Sequence, residues 1–285
     1  MSPGLFRFDG DLSTLTVKRT VTTQLRTRIR MPARPFILRE TTWKTIKKTD
    51  YTLAILPWGA TEAHNYHLPF GTDIMESDYI AAESAKIAWE AGARVIVLPT
   101  VPFGVNTGQM DIKLTINMNP STQSAILRDV VDSLSGQGIR KLVLLNSHGG
   151  NDFRQMVREI QLRNPKMFIC TINWWQIVDQ KKYFDEADDH AGEMETSVML
   201  NIAPDLVLPL SEAGDGKART FKVSGLRERW VWTPRLWTKA TEDTGVGNPK
   251  RATLEKGAGY LKAATEKIGG FLKELAGADV NDLYE

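Results

Sequence analysis

Lys141-Leu142-Val143-Leu144-Leu145-Asn146-Ser147-His148-Gly149-Gly150-Asn151 joins an apolar run of strand length to a polar, glycine-bearing turn that carries an imidazole. An apolar run this short, bounded by charge and by a Gly-Gly turn, reads as a strand buried on both faces. Three more runs share the pattern: Tyr51–Pro57, Arg94–Pro99 and Met167–Ile172. Helical patterns lie between them. Ser77–Ala91 ends at Gly92, a second helix capped by Ser121 or Thr122 runs through Leu134, and Asp152–Arg163 follows the Gly-Gly turn and stops before Pro165. Strands alternating with helices of this length predict an α/β fold, a mostly parallel sheet covered on both faces. Such sheets bind ligands at the carboxyl ends of their strands. The third strand runs into His148 and the first into Glu62, so both lie where chemistry is expected.

Beyond the fourth strand, Glu193–Leu200 predicts a further short helix, and Thr253–Leu275 a closing amphipathic one. Residues 204–248, rich in Gly, Pro and Trp, predict strands and loops near the site. No repeat or Ser/Gly linker interrupts residues 35–285, which read as one domain. Residues 1–34 precede it as a basic arm, with seven Lys/Arg against Asp9 and Asp11, a local net charge of +5. The whole chain of 285 residues has a net charge of only +2, which gives no reason to expect a nucleic-acid partner. The single cysteine, Cys170, excludes an intrachain disulfide and sits in an apolar run, as a buried inert thiol would. No apolar run approaches a membrane span and no secretory leader is visible, so a cytoplasmic protein without a membrane partner is expected.

All four histidines fall in three short polar segments: Glu62-Ala63-His64-Asn65-Tyr66-His67 running on to Asp73, Asn146–Asn151, and His190-Ala191-Gly192-Glu193-Met194-Glu195. Imidazole nitrogen beside carboxylate oxygen is the donor mix that zinc, manganese or iron takes. Glu62 and His64 alternate along the chain and so share a face, and Asp73 follows a rigid Leu-Pro-Phe-Gly-Thr turn able to fold it back onto the pair. A carboxylate placed between two cations can bridge them. Glu193 and Glu195 point in different directions on a helix, so one can reach a metal while the other supports it. Taken singly, each segment also reads as surface carboxylates, a tight turn or an acidic helix start. Their joint claim on every histidine favours a metal site, and no serine nucleophile elbow or Cys-His pair competes with it.

These residues resemble the creatininase (creatinine amidohydrolase) family. The likeness rests on Leu56-Pro57-Trp58-Gly59-Ala60-Thr61-Glu62-Ala63-His64, on His67-Leu68-Pro69 with Gly71-Thr72-Asp73, on Asn146–Asn151 and on His190–Ser197, with a looser block at Gly247–Gly257. The resemblance implies a three-layer α/β/α sandwich, often a homohexamer, with two divalent ions per subunit, Zn2+ and/or Mn2+, with Fe2+ as a further candidate. Carried over by position, one ion takes Glu62, Asp73 and His148 and the other His64, Asp73 and Glu195, with Asp73 as the bridge. His190 matches a proton-transfer histidine, and His67 a motif histidine that hydrogen-bonds around the site rather than to metal.

Two departures bear on the substrate. Creatinine-opening members have His-Tyr-Glu-Asn where this chain has His148-Gly149-Gly150-Asn151, and Gln109 replaces a histidine common in the family. The expected function is a binuclear metal-dependent amidohydrolase acting on a cyclic or small amide C–N bond, with creatinine a poor substrate. A hydroxide shared by two cations would attack the carbonyl carbon, the backbone N–H of Gly149 or Gly150 would aid the oxyanion, and His190 would protonate the leaving nitrogen. Trp174 and Trp175 follow the fourth strand and are candidates to wall the pocket, with ordinary core packing the alternative for one of them. A formamide deformylase, a peptide-trimming hydrolase and a non-catalytic metal-binding oligomer are the alternatives.

Overall fold

Inward-facing residues of the central strands alternate between two cores, which fixes the layering. The structure is a computed structural model and describes residues 33–186 and 189–285. Four strands, β1 (Leu53–Trp58), β2 (Val95–Val97), β3 (Lys141–Asn146) and β4 (Phe168–Asn173), pair in parallel in the order β2-β1-β3-β4. Leu53, Ile55, Val143 and Leu145 point to one face, and Ala54, Leu56, Leu142 and Leu144 to the other. Every residue of β1 and β3 is buried, as two-sided cover requires.

The first face is covered by α1 (Thr72–Glu90), α4 (Glu193–Ile202) and α5 (Leu254–Gly277), through Ile80, Ala85, Val198, Tyr260, Ile268 and Leu272. The second is covered by α2 (Pro120–Gly136) and α3 (Arg154–Arg163), through Leu127, Val131, Met156 and Ile160. The three-layer α/β/α arrangement is thus present, with a parallel sheet. The expected basic arm, residues 1–34, lies outside the described residues except for Ala33 and Arg34, the latter paired with Glu40.

Several local expectations need correction. Helix α1 begins at Thr72 and not Ser77, so Asp73 is held in a first helical turn rather than on a returning loop. The residue before α2 is Asn119, with Pro120 as its first helical residue; Ser121 and Thr122 lie inside the helix. Helix α3 begins at Arg154, three residues after Asn151, so the Gly-Gly turn does not itself open a helix. Residues 204–248 contain no strand; they form loops with single helical turns at Pro204–Leu206, Ser224–Arg227 and Trp237–Ala240. Their glycines, prolines and tryptophans lack the alternation that a ladder needs.

The C-terminal helix is tied down at both ends. Thr253 caps α5, its hydroxyl accepting from the Lys256 N–H at 3.3 Å. At the far end Lys141 sends its ammonium to the carbonyls of Leu275, Ala276 and Ala278, at 2.8, 3.0 and 2.6 Å. A cation there complements the carbonyl-rich, negative end of the helix. Lys141→Met is expected to lower stability by about 3 kcal/mol, the scale for losing hydrogen bonds to a charged group. Urea unfolding checks this, and an unchanged midpoint would show that the clamp contributes nothing.

Candidate metal centre

Strand register brings the polar segments together. Trp58 of β1, Asn146 of β3 and Asn173 of β4 lie side by side at the carboxyl ends of their strands. The chain leaves β1 through Gly59, where a Cβ would lie 2.8 Å from the backbone of Asp73 and Ile74. Only a glycine lets the start of α1 pass so close to the strand end, and this contact sets Asp73 beside Glu62. From β3 the chain turns at Ser147 into His148. The third contribution comes from the start of α4, where Ala191 takes a left-handed φ of 53° and turns His190 and Glu195 inward. That conformation is costly for a residue with a side chain, and the surrounding packing must hold it.

Glu62, His64, Asp73, His148 and His190 are all buried, and Glu195 is half-buried. Their donor atoms fall into three overlapping groups, each with its atoms within 4.8 Å of one another: Glu62–Asp73–His148, His64–Asp73–Glu195 and Glu62–His64–His190. Asp73 divides its oxygens, with Oδ1 lying 3.0 Å from His64 Nε2 and Oδ2 3.1 Å from His148 Nδ1. Glu62 Oε1 lies 2.9 Å from His148 Nδ1, 3.8 Å from His190 Nδ1 and 3.9 Å from His64 Nε2.

Each of the three imidazoles turns its other nitrogen to a backbone carbonyl. His64 Nδ1 meets Glu62 at 3.1 Å, His148 Nε2 meets Val105 at 3.0 Å and His190 Nε2 meets Ala63 at 2.8 Å. A carbonyl only accepts, so those nitrogens carry the hydrogens and the inward ones are the available donors to a metal. This is the wiring usual for histidine ligands. Behind His148 stands a chain of carboxamides in which the motif residues Asn146 and Asn151 are joined by Gln123 and Asn173, which no motif contains. Asn151 Nδ2 donates to Asn146 Oδ1 at 3.0 Å, Gln123 Nε2 to Asn151 Oδ1 at 2.7 Å, and Asn146 Nδ2 to Asn173 Oδ1 at 2.9 Å. Asn146 Oδ1 also accepts from the His148 N–H at 3.1 Å.

The remaining expected site residues divide. Gln109 is buried and its carboxamide N–H donates to Glu62 Oε2. His67 hydrogen-bonds Thr196 Oγ1 at 2.8 Å and belongs to none of the donor groups. Glu193 faces away, its carboxylate accepting from the Asp185 and Glu186 N–H groups and from Lys256, while the Glu195 carboxylate accepts from the Ala191 N–H. Trp174 does not wall the site: it is in the core, its ring 5.8 Å from that of Tyr260, and Trp175 packs half-buried against the same cluster. An aromatic ring that does lie against the site is Trp237, 4.7 Å from the ring of His190. It comes from the unpatterned region 204–248, where no periodicity marked it.

The electrostatics fit a cation site. Burial alone would favour neutral imidazoles, but Asp73 holds His64 up at about 10. Against the same burial, Glu62 and Asp73 hold His148 well above its ordinary value. His190 goes the other way, held below its ordinary value by burial and the neighbouring His64 charge. Without an ion, protons on His64 and His148 therefore balance the carboxylates. Ion uptake must expel them, so calorimetry at pH 7 in buffers of different ionisation heat is expected to show release of more than one proton per chain, with affinity rising with pH. Uptake without proton release would refute this picture.

Residues 39–272 match the family described as Creatininase, creatinine amidohydrolase. A crystal structure of a Bacteroides fragilis protein, provisionally assigned as a creatinine amidohydrolase, is 47% identical with a TM-score of 0.83, covering 88% of this chain and 99% of that one. The creatinine amidohydrolase of Pseudomonas putida is 26% identical over 260 residues, 82% of this chain and 95% of its own. A mycofactocin precursor peptide peptidase of Mycolicibacterium smegmatis is 28% identical over 165 residues, 55% of this chain and 60% of its own. Creatininase structures described as a Zn-Zn type and as a Mn form share the fold, each with a TM-score of 0.71 over 86% of this chain and 100% of theirs, at 23% and 22% identity. The fold, the buried donor groups and these matches together make the chain a member of the creatininase family of hydrolases.

Proposed function

We propose that this protein is a two-ion amidohydrolase that cleaves a C–N bond, other than a peptide bond, in a cyclic or small amide. The observation that carries this reading is Asp73, a buried carboxylate with one oxygen toward each of two donor groups, Glu62–Asp73–His148 and His64–Asp73–Glu195. The donor set, imidazole and carboxylate with every imidazole pre-oriented by a carbonyl, suits Zn2+ or Mn2+. When bound, two such ions polarise a carbonyl oxygen and acidify water.

The chain's own residues do the rest. Asp73 and Glu62 supply anionic charge and keep the ligand imidazoles facing inward. His190, fixed through Nε2, presents Nδ1 on the site side, where it can hold a proton and deliver it to a departing nitrogen. Trp237 lies against that imidazole and limits the space on its far side. Gly149 lies at an open face, where an added Cβ would touch nothing within 4 Å, so its backbone is accessible to a substrate oxygen. A homo-oligomer, with a hexamer favoured, belongs to the same reading, and the exposed Trp43, Trp230 and Trp232 are surfaces such an assembly would cover. Sedimentation velocity tests it.

Creatinine is expected to be a poor substrate. Gly150 supplies no carboxylate, and a Cβ there would lie 2.2 Å from the Val105 carbonyl oxygen and 2.5 Å from His148 Nε2. Gly150→Glu would therefore displace His148 before it placed a carboxylate usefully. Direct assay with Zn2+ and with Mn2+ decides; turnover matching a dedicated creatininase would overturn the expectation. The likeness to a precursor-peptide peptidase supports a second reading, trimming of a short peptide. A screen of lactams, cyclic ureides, formamides and short peptides with ion-loaded protein separates the two, and inactivity on the first three classes beside peptide cleavage would replace the first reading with the second.

A further inference from the structure

We infer that Gln109 is a positioning residue that limits Glu62 to a single ligating oxygen, an inference that rests on the metal-site reading above. The two oxygens of Glu62 have different surroundings. Oε1 faces the three inward imidazole nitrogens of His148, His190 and His64 at 2.9, 3.8 and 3.9 Å. Oε2 takes the carboxamide N–H of Gln109. A carboxylate with one oxygen held by a donor offers only the other to a cation, so the ion beside His148 and Asp73 meets Glu62 through Oε1 alone.

The orientation of Gln109 is not interchangeable. Its carbonyl end would repel the carboxylate, so the N–H end must face Glu62. The carbonyl oxygen, Oε1 of Gln109, is then left buried without a hydrogen-bond partner, an unfavourable arrangement tolerated only where the other end is well bound. The backbone beneath is fixed independently. Gln109 ends a short turn, Thr107–Gln109, closed by its own N–H to the Asn106 carbonyl at 2.9 Å. Asn106 is buried in turn and tied to Asn117 Oδ1 at 2.8 Å and to the Ile116 carbonyl at 3.2 Å. The donor is thus delivered by a braced turn rather than by a mobile side chain at the surface.

Removing the donor frees Oε2 to join Oε1 on the ion or to swing away, and either changes the coordination without removing a ligand residue. The test uses Co2+ on the full chain, because its visible absorption weakens as coordination number rises. Wild type, Gln109→Met (near in shape, without a donor) and Gln109→His (which keeps an N–H) are titrated with Co2+ and followed by absorption and by chelator competition. Expected for Gln109→Met are unchanged saturating stoichiometry, a weaker and shifted spectrum, and about a tenfold loss of affinity for one ion; Gln109→His returns toward wild type. A wild-type spectrum and affinity in a folded Gln109→Met would overturn the inference, as would equal loss in both variants. Should Gln109→Met fail to fold, Gln109→Leu, which also lacks a donor, takes its place with the same expected and overturning results. If wild type binds no Co2+, the metal-site reading fails first and separately.

Discussion

Asp73→Ala is expected to lose both ions together, whereas Glu62→Ala loses mainly one. Asp73 is the residue common to Glu62–Asp73–His148 and His64–Asp73–Glu195, through opposite oxygens 3.0 and 3.1 Å from His64 and His148. Deleting it leaves each remaining pair, Glu62 with His148 and His64 with Glu195, one anionic donor short, with two positive ions no longer shielded from each other. Elemental analysis after dialysis of wild type and both variants measures this directly. One ion per chain surviving in Asp73→Ala would show that the two groups are independent sites. The hydrolysis rate is expected to fall to background in the same preparation.

The second large effect concerns His190. Its Nδ1 lies 3.8 Å from Glu62 Oε1, and its imidazole stacks 4.2 Å from His64. Geometry therefore permits two roles, since Glu62, His64 and His190 also form a donor group of their own. The two ligand groups sharing Asp73 leave His190 over, and burial beside a charged neighbour keeps its imidazole more acidic than usual. A group so placed returns a proton readily, which suits transfer rather than storage. His190→Ala is expected to keep both ions and lose at least roughly a hundredfold in turnover. Ion content and rate measured on one preparation decide the matter, and loss of an ion in proportion to activity would make His190 a ligand.

How much of this was legible in the sequence depended on which force set each feature. Strand β3 runs from Lys141 to Asn146 as its apolar pattern predicts, because a strand buried on both faces keeps its polar residues, here Lys141 and Asn146, at its two ends. The start of α1 was hidden because Thr72, Asp73 and Glu76 are polar yet buried, so the helix begins without the amphipathic pattern that reveals Ser77 onward. Motif residues pointed to the cluster itself. Trp237 and the Gln109–Glu62 contact were not foreseen, since both depend on loops folding back over distances no local rule encodes. For the pair Trp174-Trp175 the sequence leaves both a pocket wall and core packing open, and Tyr260 with the core on that face of the sheet claims the first ring.

The carboxamides behind His148 carry a consequence for how the protein meets acid. Gln123, Asn146, Asn151 and Asn173 neither gain nor lose protons over any pH a cell or a buffer imposes. The imidazoles and carboxylates in front of them change charge; the seat that holds His148 does not. Mild acid would then discharge the ions while leaving their cradle assembled, and neutralisation with fresh ions would restore the loaded state without any need for the chain to refold.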